Sequence, residues 1–175
     1  MRPFPIITDF SGLSLQAVSP EVEEEVRRFR AMPEVQGRRL CVGVDRLDYT
    51  KGIPERLRAI DRLFTKYPQY CRHGVFVQAG PESRAHIQRY QDLNTEIVRL
   101  VEEINWRHGE KDWVPILLLR QHLTLPWVLA LYRLAEVCVV SSLHDGMNLV
   151  AKEYIAAKSD GGWRSRTESL YWRSP

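Results

Sequence analysis

Four short, largely apolar runs, each followed by a stretch whose apolar positions recur every three or four residues, organise this chain. The runs at residues 40–44, 75–79, 116–119 and 137–140 are continuous rather than alternating, the pattern of strands buried on both faces of a parallel sheet. After the first run, Ile53, Leu57, Ile60, Leu63 and Phe64 keep helical spacing until Tyr67-Pro68 stops them. After the second, Ile87, Tyr90, Leu93, Ile97, Leu100, Val101 and Ile104 predict a long amphipathic helix from about Ser83 to near Gly109. A helix from about Leu125, with Pro126 in its first turn, follows the third run, and another follows the fourth. Ahead of them all, Ser19-Pro20-Glu21 opens a charged helix reaching about Met32, and the residues before it read as extended. Four strands alternating with four helices predict an α/β fold: a Rossmann-like parallel sheet with helices on both faces and right-handed crossovers.

In such a sheet ligands bind beyond the carboxyl ends of the strands. Arg46 follows the first predicted strand, Arg84 the second, Gln121 and His122 the third, and Asp145 the fourth. The groups able to do chemistry therefore converge on one edge.

Composition narrows the partners. The chain has 175 residues, enough for one domain, and its 25 Lys and Arg against 22 Asp and Glu leave a net charge of +3. That excess is too small to point to nucleic acid or an anionic membrane. No apolar run reaches the ~18 residues a membrane span requires. The first residues, with Pro3, Pro5 and Asp9, do not make a signal peptide's apolar core, so a cytoplasmic protein is expected. Cys41, Cys71 and Cys138 are odd in number and lack paired-ligand spacing, so neither a disulfide framework nor a zinc site follows. His122 and His144 read as structural, and neither a metal nor another cofactor is expected.

Two motifs carry the chemistry. In Asp145-Gly146-Met147-Asn148-Leu149-Val150-Ala151-Lys152-Glu153-Tyr154, a loop with a carboxylate and a glycine runs into a helix start. The N–H groups and positive dipole of a first helical turn suit phosphate oxygens, and flanking acids can accept from sugar hydroxyls. Upstream, Val42-Gly43-Val44-Asp45-Arg46-Leu47-Asp48-Tyr49-Thr50-Lys51-Gly52 delivers Arg46 and Lys51 just past an aliphatic strand. A guanidinium grips two phosphate oxygens and an ammonium adds a point charge.

In this order and at this separation, the two motifs resemble the trehalose-6-phosphate synthases, retaining glycosyltransferases that move glucose from UDP-glucose to glucose 6-phosphate. Supporting matches are Phe4-Pro5-Ile6 with Asp9, Ala79-Gly80-Pro81 with Ser83-Arg84, Tyr90-Gln91 and Gln121-His122. The resemblance implies one half of a two-domain GT-B architecture, most of its C-terminal, donor-binding part, over residues 1–158. It implies that Arg46, Lys51 and Asp145 are catalytic: the two cations stabilise charge on the departing nucleotide diphosphate, and the acid holds the glucose hydroxyls. Leu123, where the family commonly has Phe, would meet the uracil ring through its backbone. Gly146, Met147 and Asn148 would complete the donor loop, and Leu149, Val150 and Ala151 would offer backbone N–H groups. Lys152 belongs to the same stretch, and Glu153 would take the ribose hydroxyls. Arg84 would reach the acceptor phosphate.

The donor could equally be another nucleoside diphosphate glucose. The N-terminal half that the family adds is not in this sequence, so the chain alone is expected to be inactive. Marginal stability is also expected, or association with another copy or with such a half. From Ser159 the composition turns to Arg, Ser and Trp, and residues 159–175 read as an atypical tail, out of frame or otherwise foreign. Two other readings stay open: a non-catalytic nucleotide-sugar-binding module, and a non-functional truncated product.

Overall fold

A computed structural model describes residues 8–83, 86–145 and 148–158. Its central strand, β1 (Arg39–Val44), lies between β2 (Gly74–Ala79) and β4 (Ala135–Cys138), with β3 (Ile116–Leu119) outside β2. The order is β3-β2-β1-β4 and every pairing is parallel. β1 and β2 run in step from Arg39 opposite Gly74 to Val44 opposite Ala79. Beside β4 the register slips between Leu40 and Cys41.

Because side chains alternate across a strand, β2 sends Val75 and Val77 to one core and Phe76 to another. The first core is closed by α2 (Pro20–Ala31) and α5 (Leu125–Leu134), through Val22, Val26, Phe29, Leu129 and Leu131. The second is closed by α3 (Ile53–Lys66) and α4 (Gln88–His108), whose Ile53, Leu57, Ile97 and Ile104 are buried. The predicted stripes are therefore the packed faces, except that Leu63 stays 42% exposed and Ile87, just ahead of α4, 38%. Asn105 of α4 donates to the Ile116 carbonyl and accepts from its N–H, fixing β3 to the helix that precedes it. No described helix is long and apolar enough to cross a membrane.

Three expectations need correction. The segment read as extended contains a helix, α1 (Phe10–Ala17), capped by the Asp9 carboxylate, which accepts from Gly12 N–H. Its sequence is poor in helix formers, and packing against α6 (Leu149–Ala157), including a bond from Ser14 Oγ to the Ala156 carbonyl, compensates. The long helix starts at Gln88 rather than about Ser83. Pro81 and Glu82 are drawn out along the loop after β1, where Leu47 N–H donates to the Pro81 carbonyl and Leu47 bridges Glu82. Finally, β4 begins at Ala135, two residues before the expected strand, because the chain leaves α5 directly into extended backbone opposite Leu40.

Burial inside the sheet pushes the Cys41 thiol up to about 11 and that of Cys138 up to about 12, the nearby Arg56 charge offsetting only part of the effect. At pH 8 roughly one Cys41 in a thousand, and fewer Cys138, would be thiolate. Iodoacetamide is therefore expected to leave both unlabelled in native protein and to label all three cysteines in urea. Mass spectrometry of the peptides checks this, and rapid native labelling of the half-buried Cys41 would contradict a raised thiol.

Candidate functional site

Sheet order reverses between β1 and β4: from β1 the chain steps outward to β2 and β3, then returns to the other side of β1. Such a switch point opens a crevice beyond the carboxyl ends of the two strands. Here it is a cleft of about 490 Å³. Arg46 and Lys51 line it from the loop after β1, Gly80 and Pro81 from the loop after β2, and His122 and Leu123 from the loop after β3. Val150 and Glu153 line it from α6, and Tyr132 from α5.

Local chemistry shapes each wall. Asp48 caps a short 3-10 turn, Tyr49–Lys51, its Oδ1 accepting from the Thr50 N–H and hydroxyl at 3.0 Å each. Tyr90 hydroxyl donates to its other oxygen at 3.4 Å. Burial alone would raise the Asp48 carboxyl, but the Thr50 and Tyr90 bonds and the Arg46 charge outweigh it and hold the group below its usual range. The turn aims Lys51 at the loop after β4, where Nζ lies 2.7 Å from Asp145 Oδ2. Backbone bonds join the same loops, for the Thr50 carbonyl accepts from Leu143 N–H at 2.8 Å. A cation and an acid, 94 residues apart in the chain, are thus neighbours at the cleft.

Asn148 caps α6: its Oδ1 accepts from Ala151 N–H at 3.1 Å while its Nδ2 donates to Asp145 Oδ2 at 3.1 Å. The Ala151 amide expected to face a ligand is therefore engaged by the cap, and the amides of Leu149 and Val150 remain the candidates at this helix start. Glu153 faces the cleft and accepts from the buried Tyr132 hydroxyl at 3.2 Å. Burial, with the Glu153 charge adding to it, pushes that phenol far above its ordinary value, so it stays a donor. Lys158, at the end of α6, donates from Nζ to the Arg133 carbonyl.

The structure thus gathers Arg46, Lys51, Leu123, Asp145, Asn148, Leu149, Val150 and Glu153 around one edge. Lys152 lies on α6 without lining the cleft. Arg84, Gly146, Met147 and the tail at 159–175 lie outside the described residues. Among the described residues, no group of three or more His, Cys, Asp or Glu is placed to hold a metal ion.

Sequence reasoning passed over Arg56, Asp45 and Ser141. Arg56 is 2% exposed and donates to Ser141 Oγ, Gln78 Oε1 and Asp45 Oδ2 at 3.0, 3.0 and 2.7 Å. Its signal was available: position 56 falls beside Leu57 and three residues after Ile53, on the apolar stripe of α3, where an arginine needs partners. Gly43 belongs to the same device, because a Cβ there would stand 2.2 Å from the Arg56 guanidinium.

Fold and cleft together define a Rossmann-like α/β protein with an open cleft at the topological switch point. The chain belongs to glycosyltransferase family 20, whose model matches residues 1–170. It is 39% identical over 158 residues to the bifunctional trehalose-6-phosphate synthase/phosphatase of Thermoproteus tenax, covering 90% of this chain and 21% of that protein. It is 45% identical over 115 residues to the trehalose-6-phosphate synthase of Enterobacter sp. strain 638, covering 66% of this chain and 24% of the relative. An α,α-trehalose-phosphate synthase from Burkholderia xenovorans, solved in complex with glucose-6-phosphate, superposes with a TM-score of 0.82 at 38% identity, over 88% of this chain and 33% of that one. An E. coli trehalose-6-phosphate structure bound with UDP-2-fluoro glucose gives 0.78 at 34% identity, over 88% and 34%. The chain spans between a fifth and a third of the length of these relatives.

Proposed function

We propose that residues 1–158 form the donor-binding part of a retaining glycosyltransferase that moves glucose from UDP-glucose, or another nucleoside diphosphate glucose, to glucose 6-phosphate, giving trehalose 6-phosphate. The observation that carries this reading is the shared cleft: Arg46 and Lys51 face the start of α6 and Glu153 across one hollow. The cations take the diphosphate with the amides of Leu149 and Val150. Asp145 accepts from glucose hydroxyls, Glu153 from the ribose, and Leu123 borders the base. As the bond from the anomeric carbon to the diphosphate oxygen breaks, negative charge grows on the leaving group beside Arg46 and Lys51, so both stabilise the transition state more than the ground state. Arg84 is assigned to the acceptor phosphate. The ligands in the E. coli and Burkholderia structures, a UDP-glucose analogue and glucose-6-phosphate, support this substrate pair.

Thermal melts with UDP, UDP-glucose, GDP-glucose and glucose 6-phosphate test it. A ligand at ~100 times its Kd adds about 2.7 kcal/mol of stability, so UDP and UDP-glucose are expected to raise the Tm of the parent chain, and Arg46→Ala to remove most of the rise. A parent chain that no nucleotide stabilises would overturn the donor site.

A second reading is a non-catalytic binding module, since the same fold occurs as the N-terminal domain of a Candida albicans protein named for another reaction, a trehalose-6-phosphate phosphatase (TM-score 0.79, 26% identity). UDP-glucose binding without transfer, even after a complementary N-terminal half is added, would select the module.

A further inference from the structure

We propose that Arg56 is a positioning residue that aims Lys51 into the cleft; this rests on reading Lys51 as the ammonium that meets the donor diphosphate. Arg56 never reaches the cleft itself. It lies under it, 2% exposed, and its three bonds tie together the carboxyl ends of three strands: Asp45 after β1, Gln78 on β2 and Ser141 after β4.

Two of those bonds lead to Lys51 by separate routes. Asp45 gives Oδ2 to the guanidinium and turns Oδ1 to the Lys51 ammonium at 3.9 Å, so Arg56 sets the orientation of a carboxylate that the ammonium faces. Ser141 Oγ accepts from Arg56 Nε, which directs its own hydroxyl hydrogen toward the carbonyls of Lys51 and Gly52, each 3.2 Å away. One buried guanidinium thereby constrains both the charged tip and the backbone of the same lysine. The planar fork suits this, because its donors point in fixed directions that an ammonium cannot reproduce. The absence of a side chain at Gly43 keeps the space open.

Three variants test the link. Arg56→Lys keeps the charge and loses the fork. Gly43→Ala keeps every hydrogen-bonding group and displaces the guanidinium, and it serves where Arg56→Lys does not fold. Lys51→Met removes the residue being aimed. Retained folding is checked by circular dichroism. In 13C-lysine-labelled chain, the ε-methylene signal absent from Lys51→Met is that of Lys51, and it is expected to move toward the position of unordered lysine in the other two variants. Calorimetric titration with UDP is expected to show about a tenfold loss of affinity for Arg56→Lys in the parent background and less than twofold in the Lys51→Met background. An unmoved Lys51 signal in folded variants overturns the inference, as does an equal loss of UDP affinity in both backgrounds, which is what a merely structural arginine produces. If no protein binds UDP while the Lys51 signal still moves, the donor site fails and the positional link stands.

Discussion

Replacing Arg56 with methionine will cost this protein about 3–5 kcal/mol, because removing one partner of a buried ion pair leaves the other charge without compensation. Asp45 is the charge left behind. It is 6% exposed, burial already pushes its carboxyl above the ordinary value, and Arg56 is the principal group pulling it back down. Lys51, at 3.9 Å, is too distant to replace a 2.7 Å bond. Gln78 would also lose its donor, and its Nε2 is already a buried atom with no hydrogen-bond partner. Urea unfolding of Arg56→Met, Asp45→Asn and the double variant is the measurement. The double variant is expected to be more stable than the sum of the single losses predicts, by 1 kcal/mol or more, as groups in direct contact are coupled by roughly 0.5–3 kcal/mol. Against a total stability of about 5–15 kcal/mol for a native protein, the single change removes a large share. An additive cycle, or a loss under about 1 kcal/mol, would mean that Asp45 reaches water once its partner is gone.

Gly80→Ala is expected to be of similar severity for a different reason. Gly80 has φ +151°, and a Cβ on it would lie 1.9 Å from the Asp45 carbonyl oxygen and 2.6 Å from its carbon. Both contacts are to backbone, which cannot swing aside as a side chain would. The backbone on either side is held, with Gly80 N–H donating to the Leu119 carbonyl and Asp45 N–H to the Ala79 carbonyl, each at 3.0 Å. Strained φ/ψ costs about 1–3 kcal/mol and overpacking about as much again, so a loss of roughly 2–6 kcal/mol is expected. The ends of β1 and β2 would part where Gly80 lines the cleft, so any folded fraction should also lose UDP-dependent stabilisation. Urea unfolding with and without UDP reads both effects. A variant that melts within 1 kcal/mol of the parent and keeps its UDP response would show that the strands separate at little cost.

Which parts of this molecule were legible beforehand follows from where their causes lie. The strands and the helices at 20–31, 53–66 and 125–134 were legible within a residue or two, β4 excepted, because an aliphatic run or a 3.6-residue stripe is local in the chain. Where the prediction slipped, a distant partner decided. Helix α1 depends on α6, the extended segment at Pro81–Glu82 depends on Leu47, and the early start of β4 depends on Leu40. Arg46, Lys51, Asp145 and Glu153 stood out through their motifs. Arg56 belongs to neither pattern: its place on the apolar stripe of α3 hinted at burial, but only the tertiary structure supplies the partners at 45, 78 and 141.

By itself the sequence determined the list of elements, the parallel character of the sheet and the edge on which the reactive side chains emerge, because all three follow from periodicity and from position after each strand. Only the tertiary structure decided that β4 pairs with β1, on the side opposite β2. That choice sets the switch point beneath the loops at 45–52 and 141–145, so that Lys51 meets Asp145 and the two motifs share one cleft. Strand order is a property of non-local pairing and of the faces two helix layers must bury, and no stretch of chain carries it alone.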